Sequence, residues 1–304
     1  MNVLQLNPRY IQRAIRRLEG LDPKEASISD FESHLTPLFR GYTVVAPRFD
    51  AGIYIYRARK CEKPIRLADL SYPPAEAVTA LGRANDIGQS IFYGATARSV
   101  PFFELDTQPG DYIALSKWKT TGPMMLNHIG FSSEPESFKD AKRQLDSIYK
   151  FVKETRAKGD LNALVHDYLA YNFSRRIKEK DNDHYKLTIA ISRKLFSDGI
   201  FDGLLYPTIQ MFGNADNIAL KTDAVDRLLR FVSVEYVAVK AARGKEYDIE
   251  VLDSATQADL IGTLMWSGRA LQFSLRQRDE QLKLVTEGGE WVAYDTLGNR
   301  VDPE

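Results

Sequence analysis

The chain has 304 residues, and its 41 Lys and Arg balance 41 Asp and Glu, so the formal net charge is zero. That balance argues against a protein that coats nucleic acid, because such binding relies on basic side chains neutralising phosphates. A single cysteine, Cys61, excludes an intrachain disulfide framework, and the scattered His34, His128, His166 and His184 speak against a zinc site.

In chain order, residues 1–45 read as a helical N-terminal extension. From Pro8 to Leu18, Tyr10, Ile11, Ile15 and Leu18 share one helical face, with Arg9, Arg13, Arg16 and Arg17 elsewhere. A second helix is predicted from near Ser29, where Ser29 and Glu32 have capping-box spacing; Ser27 is the alternative cap. Pro37 is expected to end it. Residues 46–222 read as the core. Its first half holds short strand-like runs, TVVAP, GIYIYRA, SIFYGA and YIALSKW, punctuated by Gly52, Gly82, Gly88 and Gly110. PPAEAVTALGRAND has room for a short helix. Residues 134–197 read as a helical insertion. Its first stripe is Phe138, Leu145, Ile148, Phe151 and Val152. Its second follows Asp160 with Leu161, Leu164, Val165, Tyr168 and Leu169. RRIKEKDND closes that helix as a charged loop, and a third helix runs from about His184 to Phe196. Strands return as GLLYPTI and NIAL, and continue through residues 223–304 as a β-rich C-terminal extension, with a poorly ordered tail expected after Tyr294. The whole reads as α+β. There is no run of about 18 apolar residues to cross a membrane, and the first residues lack the apolar segment of a signal peptide. A cytoplasmic protein with no membrane partner is expected.

The residues with chemical potential gather in YRAR at 56–59, GRAND at 82–86, IFYGA at 91–95 and PFFEL at 101–105. Read as a strand, PFFEL turns Glu104 away from Phe103 and Leu105. A carboxylate in so apolar a run is costly unless it is paired or set in a cleft. On that strand Glu104 and Asp106 would share a face. Farther on, Pro207 breaks regular strand pairing, and Thr208 follows with a hydroxyl for a pocket. Arg57 alone would read as a surface ion pair, and Arg13, Arg16 and Arg17 as a solvated helix face.

Taken together these pieces resemble the RES-domain family, named for marker Arg, Glu and Ser residues. The matching pieces are Tyr56-Arg57, then Gly82-Arg83-Ala84-Asn85 with Gly88, then Phe92-Tyr93, and Glu104 eleven residues beyond Tyr93. Pro207-Thr208 and Asn217-Ile218-Ala219-Leu220 complete the order. The resemblance covers roughly residues 50–222. Two positions depart from the pattern: Ala84 replaces an aromatic, and Thr208 stands where the family has serine, keeping the hydroxyl but stiffening its rotamer.

The resemblance implies an ADP-ribosyltransferase-like split β-sheet and an enzyme that consumes NAD+ as substrate, without a metal. It implies cleavage of the nicotinamide–ribose bond by hydrolysis, phosphorolysis or ADP-ribosyl transfer, in a toxin of a toxin–antitoxin pair or a defence effector, with an antitoxin as partner and no direct nucleic-acid binding. Arg57 and Arg83 would bind the pyrophosphate through charge-assisted pairs. Tyr93 would stack on nicotinamide, Glu104 would stabilise the oxocarbenium-like sugar, and Thr208 would hydrogen-bond the carboxamide or ribose. The alternative is a catalytically silent module that binds NAD or ADP-ribose, or another protein, on the same scaffold.

Overall fold

The computed structural model describes residues 7–40, 42, 48–130, 160–177, 179–210, 215–243, 246–268, 271–276, 283–287, 290–294 and 300–301. TVVAP, the stripe from Phe138 to Val152, Gly244 and the Gly288-Gly289 pair lie outside the described residues.

Helix α1 (Pro8–Glu19) starts where the Asn7 side chain accepts the Tyr10 N–H at 2.9 Å, and it buries Ile11, Ala14 and Leu18. Helix α2 (Ile28–Phe39) is capped by Ser27, the alternative, and not by Ser29. The Asp30 N–H donates to Ser27 Oγ at 3.1 Å, and the Ser27 N–H donates to the Asp30 carboxylate at 2.8 Å. Asp30, rather than Glu32, closes this reciprocal box. Pro37 does not stop the helix, which continues to Phe39. The proline removes one N–H, but buried Leu35 and Leu38 anchor the turns on either side of it. Between 74 and 88 only a three-residue 3-10 turn forms, Ala75–Ala77. RRIKEKDND includes another 3-10 segment, Glu179–His184, where a plain loop is expected.

The centre of the molecule is one eleven-stranded mixed sheet, an α+β arrangement with helices packed on it. Its strands are β1 (Arg48–Phe49), β2 (Tyr54–Lys60), β3 (Phe92–Ala95), β4 (Tyr112–Thr120), β5 (Met124–Asn127), β6 (Gly203–Pro207), β7 (Asp216–Leu220), β8 (Leu229–Arg243), β9 (Glu246–Ala258), β10 (Leu264–Trp266) and β11 (Leu271–Arg276). They lie in the order β1-β5-β6-β7-β3-β2-β4-β8-β9-β10, with β11 also on β9. β5 and β6 pair in parallel, and β8 pairs antiparallel with β4. β8 to β11, all after residue 223, therefore continue the core sheet. β12 (Lys283–Glu287), β13 (Glu290–Tyr294) and β14 (Arg300–Val301) form a small separate sheet. The chain after Tyr294 thus returns to pair, where a loose tail is expected.

The sheet has two covered faces. On one, α1, α2, α4 (Asp160–Ser174) and α5 (Tyr185–Phe196) pack over Leu204, Tyr206 and Ala219. Farther along that face, α3 (Val100–Glu104) packs with Phe102 and Phe103 over Ala95, Ile113, Leu115 and Val237. The other face buries Ile55, Phe92, Trp118, Leu126, Leu205 and Ile218 against α6 (Thr222–Leu228) and a 3-10 turn at Leu67–Leu70. Gly203 sits where β5, β6 and β7 crowd. A Cβ there would lie 2.5 Å from the Ala219 carbonyl oxygen and 2.5 Å from Leu220 Cδ2. Gly203→Ala is therefore expected to cost about 3 kcal/mol through overpacking against backbone. An unchanged urea midpoint would mean that the strands separate freely at this point.

Candidate functional site

The site begins with a break in the sheet. β2 and β3 meet at one residue pair, Tyr56 opposite Ala95. β3 spends its other edge on β7, and β2 its other edge on β4. The segments 57–60 and 92–94 therefore splay apart, and a cleft of about 560 Å3 opens between them. Its walls include Tyr56, Arg57, Arg59, Lys60, Tyr93, Ala95, Pro101, Glu104, Tyr206 and Asn217. Part of its floor is a transverse row from four adjacent strands, Tyr206–Asn217–Ala95–Tyr56, set by the cross-strand register.

Arg57 bridges the break. Its Nη1 donates to the Tyr93 carbonyl at 2.8 Å, satisfying an acceptor that a continuous ladder would have used. Its guanidinium carbon lies 5.2 Å from the Phe92 ring centroid. Its Nε is buried and has no hydrogen-bond partner among the described residues. Burial pushes the Arg57 pKa down to about 10, with the like charge of Arg59 adding to the effect. The group stays cationic at neutral pH, and no carboxylate among the described residues pairs with it. Two more cations follow on the same strand. Arg59 donates to the Asp69 carbonyl, and Lys60 pairs with Asp111 at 2.7 Å.

Glu104 is not on a strand. It is the last residue of the short helix α3. Pro101, which has no N–H for a ladder, sits in the first turn, where none is needed. Buried Val100, Phe102 and Phe103 fix the helix to the sheet, and the chain then turns at Asp106 with φ +45°. The strand pairing of Glu104 with Asp106 is therefore lost, and Asp106 does not line the cleft. At the helix end the Glu104 side chain is exposed to the cleft, and one oxygen is held from below. The Thr208 hydroxyl donates to Glu104 Oε1, and Asn217 Nδ2 donates to the same atom at 2.9 Å. Both donors are buried, Thr208 completely. The Thr208 N–H in turn donates to the Ala215 carbonyl at 2.9 Å, which fixes the turn after β6. Glu104 Oε2 has no partner among the described residues.

Tyr93 presents its ring to the cleft, but its hydroxyl is already committed. It donates to Asn85 Oδ1 at 2.9 Å and accepts the Ala84 N–H at 2.8 Å. Burial raises the phenol pKa, so the donor stays protonated. Gly82 makes this possible, because a Cβ there would collide with the Asn85 amide. Ala84 is buried in the core beneath the helices.

Arg83 is not in the cleft. Its guanidinium donates to the carbonyls of Phe173 and Arg175, at the C-terminal end of α4. It caps orphan carbonyls there and reinforces the helix dipole. Of the two arginines expected at a pyrophosphate, Arg57 alone lines the cleft, with Arg59 and Lys60 as neighbours. The partners of Arg83 lie 90 or more residues away in sequence, so its capping role has no local signature. Tyr206, Asn217, Arg59 and Lys60 are cleft residues that sequence reasoning did not assign to the site. Asn217 enters the sequence reading as the first residue of the Asn217-Ile218-Ala219-Leu220 piece, with no role of its own.

Among the described residues, no group of three or more His, Cys, Asp or Glu is placed to hold a metal ion, and no helix is long and apolar enough to cross a membrane. No protein-family model matches the chain, and no curated protein matches it.

Proposed function

We propose that the chain is an NAD+-consuming enzyme that cleaves the nicotinamide–ribose bond, on a sheet of the ADP-ribosyltransferase-like split type. The observation that carries this reading is Glu104. Its carboxylate is anchored through one oxygen and open through the other, in the same cleft as the part-buried Arg57, whose Nε–H has no partner among the described residues.

In the proposed reaction Arg57 takes the diphosphate, with Arg59 and Lys60 adding positive potential along β2. The pyridinium nitrogen of NAD+ is already cationic, so nicotinamide leaves as a neutral molecule. The C1′–N bond breaks with its electron pair going to nitrogen, and positive charge develops on the sugar. Glu104, held by Thr208 and Asn217, sits preorganised to stabilise that charge. Its free oxygen can orient the incoming nucleophile, whose oxygen forms the new bond to C1′ and gives up its proton. Water, phosphate and a protein side chain fit this scheme equally, giving hydrolysis, phosphorolysis or ADP-ribosyl transfer. An unrestrained NAD+ consumer harms its own cell, so the proposal extends to a toxin or defence effector held by an antitoxin.

The test is nicotinamide release from NAD+ by the purified chain, with and without phosphate and with protein acceptors. Release in any arm supports the reading, and the arm identifies the nucleophile. No release together with tight NAD+ or ADP-ribose binding would favour the silent module. Neither release nor binding would overturn both.

A further inference from the structure

Tyr206 is the cleft residue whose polar group has no use within the protein. The residue is 6% exposed, and its hydroxyl has no hydrogen-bond partner among the described residues. Burial and the neighbouring Tyr93 push its pKa up, so the hydroxyl remains a donor. Unlike Arg57 Nε, this hydroxyl is not sealed from solvent: it opens on the cleft, where a ligand can supply the acceptor. The ring itself is held. Phe173 meets it edge-on at 5.2 Å between centroids, and the Arg83 guanidinium lies 5.9 Å from its centre.

Its position in the floor row suggests what the acceptor is. Tyr206 pairs across the ladder with Asn217, which holds Glu104. Arg57, Arg59 and Lys60 lie on β2, at the other end of the row. Three strand spacings of ~4.8 Å put about 14 Å between the two ends. With a diphosphate on the β2 side and the scissile sugar over Glu104, the leaving base falls on the β6 side. There it meets the Tyr93 ring and the Tyr206 hydroxyl. We infer that Tyr206 recognises the leaving base, by donating a hydrogen bond to the carbonyl oxygen on the pyridine ring. This inference rests on the NAD+-cleaving reading and adds a substrate rule to it: the base must carry a carbonyl acceptor.

The experiment compares the full-length chain with Tyr206→Phe on three dinucleotides. These are NAD+, its 3-acetylpyridine analogue, which keeps the carbonyl, and its unsubstituted pyridine analogue, which lacks it. Tyr206→Phe is expected to lower kcat/KM about tenfold on the first two, the loss of one well-placed hydrogen bond, and to leave the third unchanged. An equal loss on all three would show a structural role and overturn the inference. So would no loss on any. In parallel, nicotinamide alone is titrated against both proteins and followed by NMR, with thermal melts as the folding control. Weaker binding to the variant, by about tenfold, supports the inference independently of turnover. If the wild type binds nicotinamide but cleaves no dinucleotide, the catalytic reading fails while the recognition role stands. If it does not bind nicotinamide, and Tyr206→Phe leaves every rate unchanged, the role of Tyr206 fails alone.

Discussion

Glu104→Gln is expected to reduce nicotinamide release about a thousandfold while leaving the fold intact. The substitution keeps the volume and the Oε1 acceptor, so Thr208 and Asn217 retain a partner. What disappears is the negative charge facing the sugar. A preorganised charge in a partly water-excluded cleft contributes on the order of 4 kcal/mol to the transition state, which converts to about 10^3 in rate. Because Glu104 ends a five-residue helix and its side chain faces the cleft, the thermal midpoint should change little. Thr208→Ser retains the donor and is expected to stay near wild-type activity. Thr208→Val removes the hydroxyl while Asn217 still holds the carboxylate, and about a tenfold loss is expected. Steady-state nicotinamide release by the three variants measures all of this. Unchanged turnover in Glu104→Gln would remove the carboxylate from the mechanism.

The pieces of the site were legible in the sequence where the chemistry is local. Arg57 follows an aromatic on a strand, Tyr93 lies in a strand, and Thr208 comes after a proline that ends β6. What was not legible depends on register between distant strands. Asn217 becomes a cleft residue only because it lies opposite both Ala95 and Tyr206. PFFEL misleads because a run of apolar residues reads equally as a buried strand or a buried helical turn. Pro101 decides it, since a proline costs nothing in a first helical turn but removes a ladder bond from a strand. Arg83 misleads for a different reason. An arginine in a glycine-flanked turn carries no sign of its target, and here a helix end 90 residues onward claims it. The helices were more legible, because α1 and α4 follow their apolar stripes, although the cap of α2 fell to Ser27.

Arg57→Met is expected to make the chain more stable and far weaker at binding a dinucleotide. Folding takes this guanidinium out of water with no ion-paired carboxylate among the described residues, and burial lowers its pKa to about 10. That depression means the charged form is disfavoured in the folded state by about 3 kcal/mol at neutral pH. Because the unfolded chain holds the proton more tightly, the cost is fully present below pH 10 and fades as pH rises above it. Methionine fills similar space over the Phe92 ring and removes the charge. It also strands the Tyr93 carbonyl, which costs about 1–2 kcal/mol. The balance is a net gain of about 1–2 kcal/mol, visible as a higher melting temperature. Against this, the diphosphate loses its buried cationic partner, and affinity for NAD+ or ADP-ribose should fall about a hundredfold by calorimetry. A group kept at a stability cost is kept for what it binds, so the two measurements must move in opposite directions. If Arg57→Met instead lowers the melting temperature and leaves affinity intact, then Arg57 is a strut across the β2–β3 break and the diphosphate site lies elsewhere.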